Sequence, residues 1–397
     1  MPRGMGVRDP RAGRERAGLG GRDPPGSARD VAPRHRRPVL RGGRGFAGDR
    51  PARGPSVRRP AGVTPRVSVL LPVRNAAETL GECLASLAAQ TLADHEVVAV
   101  DDHSTDGSRA LLEAASRGDA RVRVMDNPGQ GLVAALNASW KAARAPLLAR
   151  MDADDVCHPE RLRAQAIRLQ EDADLSLLGT CVRLVGSTSG PNEGMRAYVR
   201  WLNGLLEHEA IVRDLFVESP LAHPTVMMRA ALLVRLQGYR TFDGPEDYDL
   251  WLRAHAAGAR FAKLPAVLLD WRDGPSRLSR TDPRYASARF RELKIRALEA
   301  GALAQRPAVV WGAGPVGKGW SRALSARGHR VAAFVEVHPR RVGQRIHGVP
   351  VVPVEGAVAT PGALHLAAVG QPGAREEIRG HAARLGLRDG DDLIAVA

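Results

Sequence analysis

From residue 66 onward, apolar and polar positions follow two alternating rhythms. Residues 67–73 form a compact apolar, β-branched run, the pattern of a strand buried in a parallel sheet. Over 78–90, Leu80, Cys83, Leu84 and Leu87 fall at helical spacing, which predicts a helix with one buried face. The rhythm repeats as a strand over 96–100, a helix through Leu111 and Leu112, a strand over 121–125, a helix over 132–143 and a strand over 147–151. Such alternation predicts a doubly wound parallel α/β sheet, in which ligands sit beyond the carboxyl ends of the strands. Three polar clusters fall at those ends: Pro72 to Asn75, Asp101 to Asp106, and Asp152 to Asp155.

Further along, the pattern predicts one or two strands over 175–185, a loop over 186–195 and a helix over 207–217. His223-Pro224-Thr225 is a polar turn into a strand. Leu250, Trp251 and Ala254 start a helix whose first turn carries Glu246, Asp247 and Asp249, a position where carboxylates commonly offset the helix dipole. An amphipathic helix over 285–299 offers Phe290, Leu293, Ile295 and Leu298 for packing, and Gly301 ends it.

A separate unit begins at Ala308-Val309-Val310-Trp311, which leads into Gly312-Ala313-Gly314-Pro315-Val316-Gly317. This is G-x-G-x-x-G after a strand and before a helix, with Glu336 closing the next strand, the context of a dinucleotide turn. Gly312, Gly314, Gly317 and Glu336 are therefore candidates for a second nucleotide site. Gly319 excludes a P-loop, which needs Ser or Thr there for magnesium. Further strands near 351, over 364–369 and over 393–396 complete a small Rossmann-like layer with room for one mononucleotide half. A scaffold or oligomerisation role is the stronger expectation for it.

The chain has 397 residues and a formal net charge of +15, but the charge does not describe a folded basic face. Residues 1–66 hold 17 arginines against 5 acids, a net of +12. That Arg/Gly/Pro-rich stretch lacks an apolar period and aromatic interleaving, so residues 1–65 are expected to be disordered and no nucleic-acid partner is implied. Only Lys141, Lys263, Lys294 and Lys318 are lysine among 58 basic residues, a bias of GC-rich coding sequence, and a native start near Val63 is one expectation. Cys83, Cys157 and Cys181 are scattered, without metal spacing, which fits a reducing cytoplasm. No apolar run is long enough to span a membrane.

The densest chemistry is at Arg150-Met151-Asp152-Ala153-Asp154-Asp155. Three carboxylates at a strand end repel one another unless a cation or helix N-terminus neutralises them. Mg2+ or Mn2+ suits such a site, because it accepts one or two carboxylates and keeps positions for phosphate oxygens. The plainer alternative is an acidic turn capping a helix whose first turn holds Pro159 and Glu160.

The strand ending Pro72-Val73-Arg74-Asn75, then Asp101-Asp102-His103-Ser104-Thr105-Asp106-Gly107, then Met151-Asp152-Ala153-Asp154-Asp155, in this order, resemble the nucleotide-sugar half of family 2 glycosyltransferases of the GT-A fold, over about 66–299. The resemblance implies a GT-A type doubly wound mixed sheet over 66–300, followed by the Rossmann-like unit over 307–397. It implies that Pro72 and Val73 line the base, that Asp101 or Asp102 binds base or ribose, and that Asp152 and Asp154 form a D-x-D with Asp154 the closest metal ligand. It also implies Asp247 as the general base, since an attacking sugar hydroxyl must lose its proton to a positioned carboxylate, here beside Glu246. His223 is placed at the acceptor wall. Trp251 either stacks on the sugar or belongs to the core, and Arg272 or Arg277 holds the diphosphate. One departure is Asn127-Pro128-Gly129-Gln130-Gly131, where the family usually has Asn-x-Gly.

The expected activity is inverting, metal-dependent transfer from a nucleoside-diphosphate sugar to a hydroxyl on a glycan or lipid-linked acceptor, in surface polysaccharide or glycoconjugate synthesis. The expected location is cytoplasmic, with room for peripheral membrane contact and for a homo-oligomer. Rival readings are a non-catalytic nucleotide-sugar scaffold and a sugar nucleotidyltransferase. The latter requires a glycine-rich loop after the first strand, and Pro72 to Ala77 contains no glycine. An oxidoreductase on the Gly312 turn lacks a substrate domain.

Overall fold

The computed structural model describes residues 64–186, 193–274 and 277–397. The expectation of disorder for residues 1–63, and most of the expected loop over 186–195, lie outside the described residues. Strands β1 (Val67–Val73), β2 (His95–Asp101), β3 (Val122–Asp126) and β4 (Leu147–Arg150) alternate with helices α1 (Leu80–Ala88), α2 (Ser108–Gly118) and α3 (Leu132–Ala142). There follow β5 (Val156–Cys157), α4 (Arg161–Glu171), β6 (Leu175–Val185), α5 (Glu193–Gly204), α6 (His208–Arg213), β7 (Met227–Arg229), α7 (Ala230–Arg235), α8 (Glu246–Ala256), β8 (Arg260–Arg272), α9 (Leu278–Thr281) and α10 (Ser287–Glu299).

These strands form one sheet in the order β3-β2-β1-β4-β7-β6-β8-β5. β1 pairs in parallel with β2 and β4, and β2 with β3, so the carboxyl ends of the first four strands share one edge. β7 is antiparallel to β4 and β6, so the sheet is mixed, as the resemblance implied, and not the parallel sheet that alternation alone predicts. Every residue of β1 is buried. Val67, Val69, Leu71 and Val73 face the core that contains Leu80, Cys83 and Leu87 of α1, while Leu70 faces Leu136 of α3, Leu148 and Met228. A strand buried on both faces cannot alternate with polar residues, which is why 67–73 reads as continuous apolar text.

Three local expectations change. Residues 193–204 form α5, although the pattern predicts a loop as far as 195. The helix expected over 207–217 is confined to His208–Arg213: beyond it the chain tightens into turns, with the Leu215 amide on the Val212 carbonyl and the Val217 amide on the Asp214 carbonyl, while Trp201 Nε1 and Arg379 reach the Asp214 carboxylate and Tyr248 Oη donates to the Leu215 carbonyl. Glu160 stands at the N-cap position of α4, outside its first turn, and makes no side-chain capping bond.

The second sheet comprises β9 (Ala308–Trp311), β10 (Val331–Val335), β11 (Arg345–Ile346), β12 (Val349–Val352), β13 (Leu364–Ala367) and β14 (Leu393–Ala395), flanked by α11 (Pro315–Ala326) and α12 (Ala374–Arg384). Its order is β11-β12-β10-β9-β13-β14, parallel throughout except for the β11–β12 hairpin. Helix α10 serves both sheets. Leu293 packs into the core of the first, with Phe290 against it, while Ile295 and Leu298 pack into the core of the second. Among the described residues no helix is long and apolar enough to cross a membrane.

Candidate active site

Beyond the ends of β1, β2 and β4 opens a cleft of about 1520 Å³. One wall is built from the loops after β1 and β2, which are laced together. Asn75 takes a left-handed conformation, φ +47°, in which its Oδ1 accepts from the Thr105 amide at 2.8 Å. In return the Asn75 amide donates to Ser104 Oγ, the Ala76 amide to Ser108 Oγ and the Ala77 amide to Asp106 Oδ2. Hydrogen bonds, first from Ser108, hold the Asp106 carboxyl below its ordinary pKa. The Asp-rich run after β2 is thus in part a bracket that sets the Pro72–Ala77 loop.

Of the two candidates at the end of β2, Asp102 lines the cleft. Its carboxylate accepts from Asn127 Nδ2 at 2.7 Å and from the Gly131 amide at 2.9 Å, with Arg74 at 3.3 Å. Asp101 does not line the cleft, and its buried Oδ1 has no hydrogen-bond partner among the described residues. The Asn127–Gly131 variant loop is therefore fastened to Asp102. Gly131, φ +85°, supplies a turn that a side chain rarely adopts.

Asp152, Asp154 and Asp155 each bring one ligand oxygen within 4.8 Å of the others. Arg150, buried beneath them, donates from Nη2 to Asp152 Oδ1 at 2.5 Å and from Nη1 to the Met151 carbonyl. Asp155 Oδ1 accepts from the Arg272 amide at 2.8 Å, but its buried Oδ2 has no partner among the described residues. Burial and then the Asp152 charge raise the carboxyl pKa of Asp154 and, further, of Asp155. An all-oxygen set with an orphaned buried oxygen fits a hard divalent cation. The Arg272 guanidinium is committed to the Asp154 carbonyl and to Glu82, at 2.8 and 2.6 Å. Arg277 is looser: it lies 4.2 Å over the Trp271 ring and 3.8 Å from Asp273, and its charge reaches Asp154 and Asp155.

Across the cleft, α8 presents Glu246 and Asp247 in its first turn. Glu246 Oε2 accepts from Tyr285 Oη at 2.7 Å, and its Oε1 lies 3.7 Å from His223 Nδ1. Burial, then Glu246, pushes the Asp247 carboxyl up to about 8, with smaller contributions from Glu218 and Asp152. His223 lines the cleft, bonds Tyr239 Oη at 2.9 Å, and is held neutral by burial and the Arg150 charge. Trp251 does not reach the cleft. It is fully buried, edge-on to His223 at 5.8 Å, so its acceptor-side role is replaced by that of a support behind the histidine.

In the second sheet, Gly317 allows close helix–strand packing: a Cβ there would stand 1.9 Å from the Gly312 carbonyl oxygen. Gly312, φ +100°, presses against Val369, and Gly314 faces open space. Glu336 already takes the Ala313 amide at 3.3 Å, along with the Val337 and His338 amides and Arg341. One amide of the turn, that of Ala313, is thus engaged by the chain's own carboxylate.

Residues 68–233 match the family described as glycosyl transferase family 2. The chain is 30% identical over 227 residues to the putative glycosyltransferase EpsE of Bacillus subtilis, covering 56% of this chain and 78% of that one. It belongs to the family 2 glycosyltransferases. The amylovoran biosynthesis glycosyltransferase AmsE of Erwinia amylovora is 30% identical over 50% of this chain and 71% of its own. Among solved structures, S. aureus TarS 1-349 in complex with UDP-GlcNAc is similar over 60% of this chain and 68% of that one, at 20% identity and a TM-score of 0.48. In this glycosyltransferase, sequence reasoning misses Arg150, Tyr198 and Tyr285. Tyr198 was findable: Met195, Tyr198, Val199 and Leu202 repeat at helical spacing, and Tyr198, on α5, lines the cleft and donates to the Ser219 carbonyl at 3.0 Å.

Proposed function

We propose that this glycosyltransferase moves a sugar from a nucleoside-diphosphate donor to a hydroxyl acceptor with inversion, at a site holding Mg2+ or Mn2+. The observation that carries the reading is that one cleft is shared by the Asp152/Asp154 pair and by Asp247, a carboxyl kept proton-hungry by burial. Asp154 and Asp152 hold the cation, which when bound supplies Lewis-acid stabilisation of the departing diphosphate. Arg150 fixes Asp152 from below, and Arg277, freer than Arg272, meets the diphosphate. Asp102 and the Pro72–Val73 edge receive the nucleoside. Asp247 takes the acceptor proton as its oxygen attacks the face opposite the leaving group. Glu246, restrained by Tyr285, keeps Asp247 basic. Surface polysaccharide or glycoconjugate synthesis is the process we assign, in line with the name of AmsE.

Thermal unfolding with UDP, GDP, dTDP and CMP, each with and without Mn2+, tests the donor site. A ligand at 100 times its Kd adds about 2.7 kcal/mol, so one diphosphate should raise Tm only with Mn2+, and D154N should lose the shift. D247N should keep the shift but lose about 100-fold or more in transfer rate. Transfer by D247N at the wild-type rate would remove the proposed base.

A further inference from the structure

The cleft extends past Asp247 to the C-terminal unit, where Pro315 and Val316 of α11 complete its wall. Its volume of about 1520 Å³ exceeds the roughly 300–1,000 Å³ of a single small-ligand pocket, leaving a limb for the second substrate. The cation on that limb is Arg291 of α10. Among the described residues the Arg291 guanidinium has no ion pair or hydrogen bond, whereas its neighbours on the helix, Arg289 and Arg296, are both paired with carboxylates. Its Nη1 lies 3.3 Å from where a Cβ on Gly319 would stand, and Gly319 is one helical turn along the same face from Val316, itself exposed and apolar. Lys294, one turn from Arg291, also lines the cleft. Its ammonium donates to the Val217 and Val396 carbonyls at 2.8 and 3.3 Å, with Glu218 the carboxylate facing it. Arg284 is neutralised by Asp282 at 2.6 Å. A half-buried, unpaired guanidinium beside an apolar strip calls for an anion attached to an apolar or sugar body.

We propose that the acceptor of this glycosyltransferase carries an anionic group, a phosphate ester or a carboxylate, seated on Arg291 against Pro315 and Val316 of the C-terminal unit. The inference rests on the glycosyltransferase reading of the same cleft. It makes the C-terminal unit the acceptor-selecting wall of the enzyme in place of a second nucleotide site.

The test measures binding of octyl phosphate, glucuronate and the neutral octyl glucoside to the full chain in EDTA, which keeps phosphate off the acidic triad. It compares wild type with R291Q and V316E. Octyl phosphate bound at least 10-fold more weakly by both variants identifies a phosphate-bearing acceptor, and the same pattern with glucuronate identifies an acidic sugar. Both probes behaving so supports the anion without choosing its source. Wild type that takes neither anion, or takes octyl glucoside as well as the anions, overturns the proposal, as does R291Q binding the anions like wild type. The Mn2+-dependent nucleotide shift is recorded on the same proteins. Its absence from wild type counts against the donor reading alone, and its loss only in the variants marks misfolding, for which R291K, retaining charge and expected to retain anion binding, is the control. R291K as weak as R291Q in a folded protein counts against a charge-based site.

Discussion

Asp247 is pulled between stability and chemistry. Its carboxyl titrates near 8, well above an unfolded aspartate near 3.9, because the charged form is desolvated and faces Glu246. A raised acid stabilises the fold only while protonated. That contribution is complete below about pH 4 and declines as pH rises, until it is gone above about 8. Asn needs no ionisation, so D247N should raise Tm relative to wild type at pH 8.5 and leave it nearly unchanged at pH 4, which differential scanning calorimetry would check. A tenfold difference in proton affinity between folded and unfolded chains corresponds to about 1.4 kcal/mol, so a gain of at least that size is expected. As the proposed base, the same residue should set the acid limb of the pH–rate profile, since only its ionised form accepts a proton. E246Q removes the largest neighbouring charge and should move that limb to lower pH; a limb that stays put would detach Glu246 from the base.

Helix α10 illustrates what an amphipathic pattern does and does not convey. Its apolar spacing is plain in the sequence, but Leu293 lies in one core and Ile295 and Leu298 in another, and no periodicity says which partner each face meets. L298A, at a side chain 1% exposed, should cost about 2–5 kcal/mol and be read as a lower urea midpoint. The first four strands and the acidic cluster at Asp152 were legible because a doubly buried strand ending in carboxylates is unambiguous text. The mixed order of the sheet was legible only through the motif resemblance and not in the periodicity, since β7 is three residues long and pairs across 80 residues of chain. Trp251 and Asp101 show the limit at the site itself: adjacency to a motif does not say whether a side chain faces the cleft or the core. Tyr285 reaches Glu246 from 39 positions away, and spacing carries no trace of that contact.

At the scale of the whole molecule, the two sheets are joined by charge as well as by α10. Asp214, nearly buried, receives Arg379 of α12 at 2.6 Å and Trp201 Nε1 at 3.0 Å, with Arg375 at 3.9 Å. Removing one partner of a buried pair strands the others. D214A should therefore destabilise by about 3 kcal/mol, with Asp389 at 2.9 Å still engaging Arg379, and its calorimetric transition should be broader than that of wild type, or split, as the second sheet unfolds earlier. A unimodal transition unchanged in width would mean that apolar packing, through α10, Phe216 and Val217, couples the sheets without Asp214. The shared helix also constrains ancestry. A recombination seam at Gly301 would leave Leu293 and Phe290 with their own core but set Ile295 and Leu298 against a foreign second core. A seam before Ser287 would keep Tyr285 with Glu246 but set Leu293 and Phe290 against a foreign first core. At either seam one of the two cores receives a foreign face of α10, so the residues on both faces of that helix are expected to have changed together with both sheets.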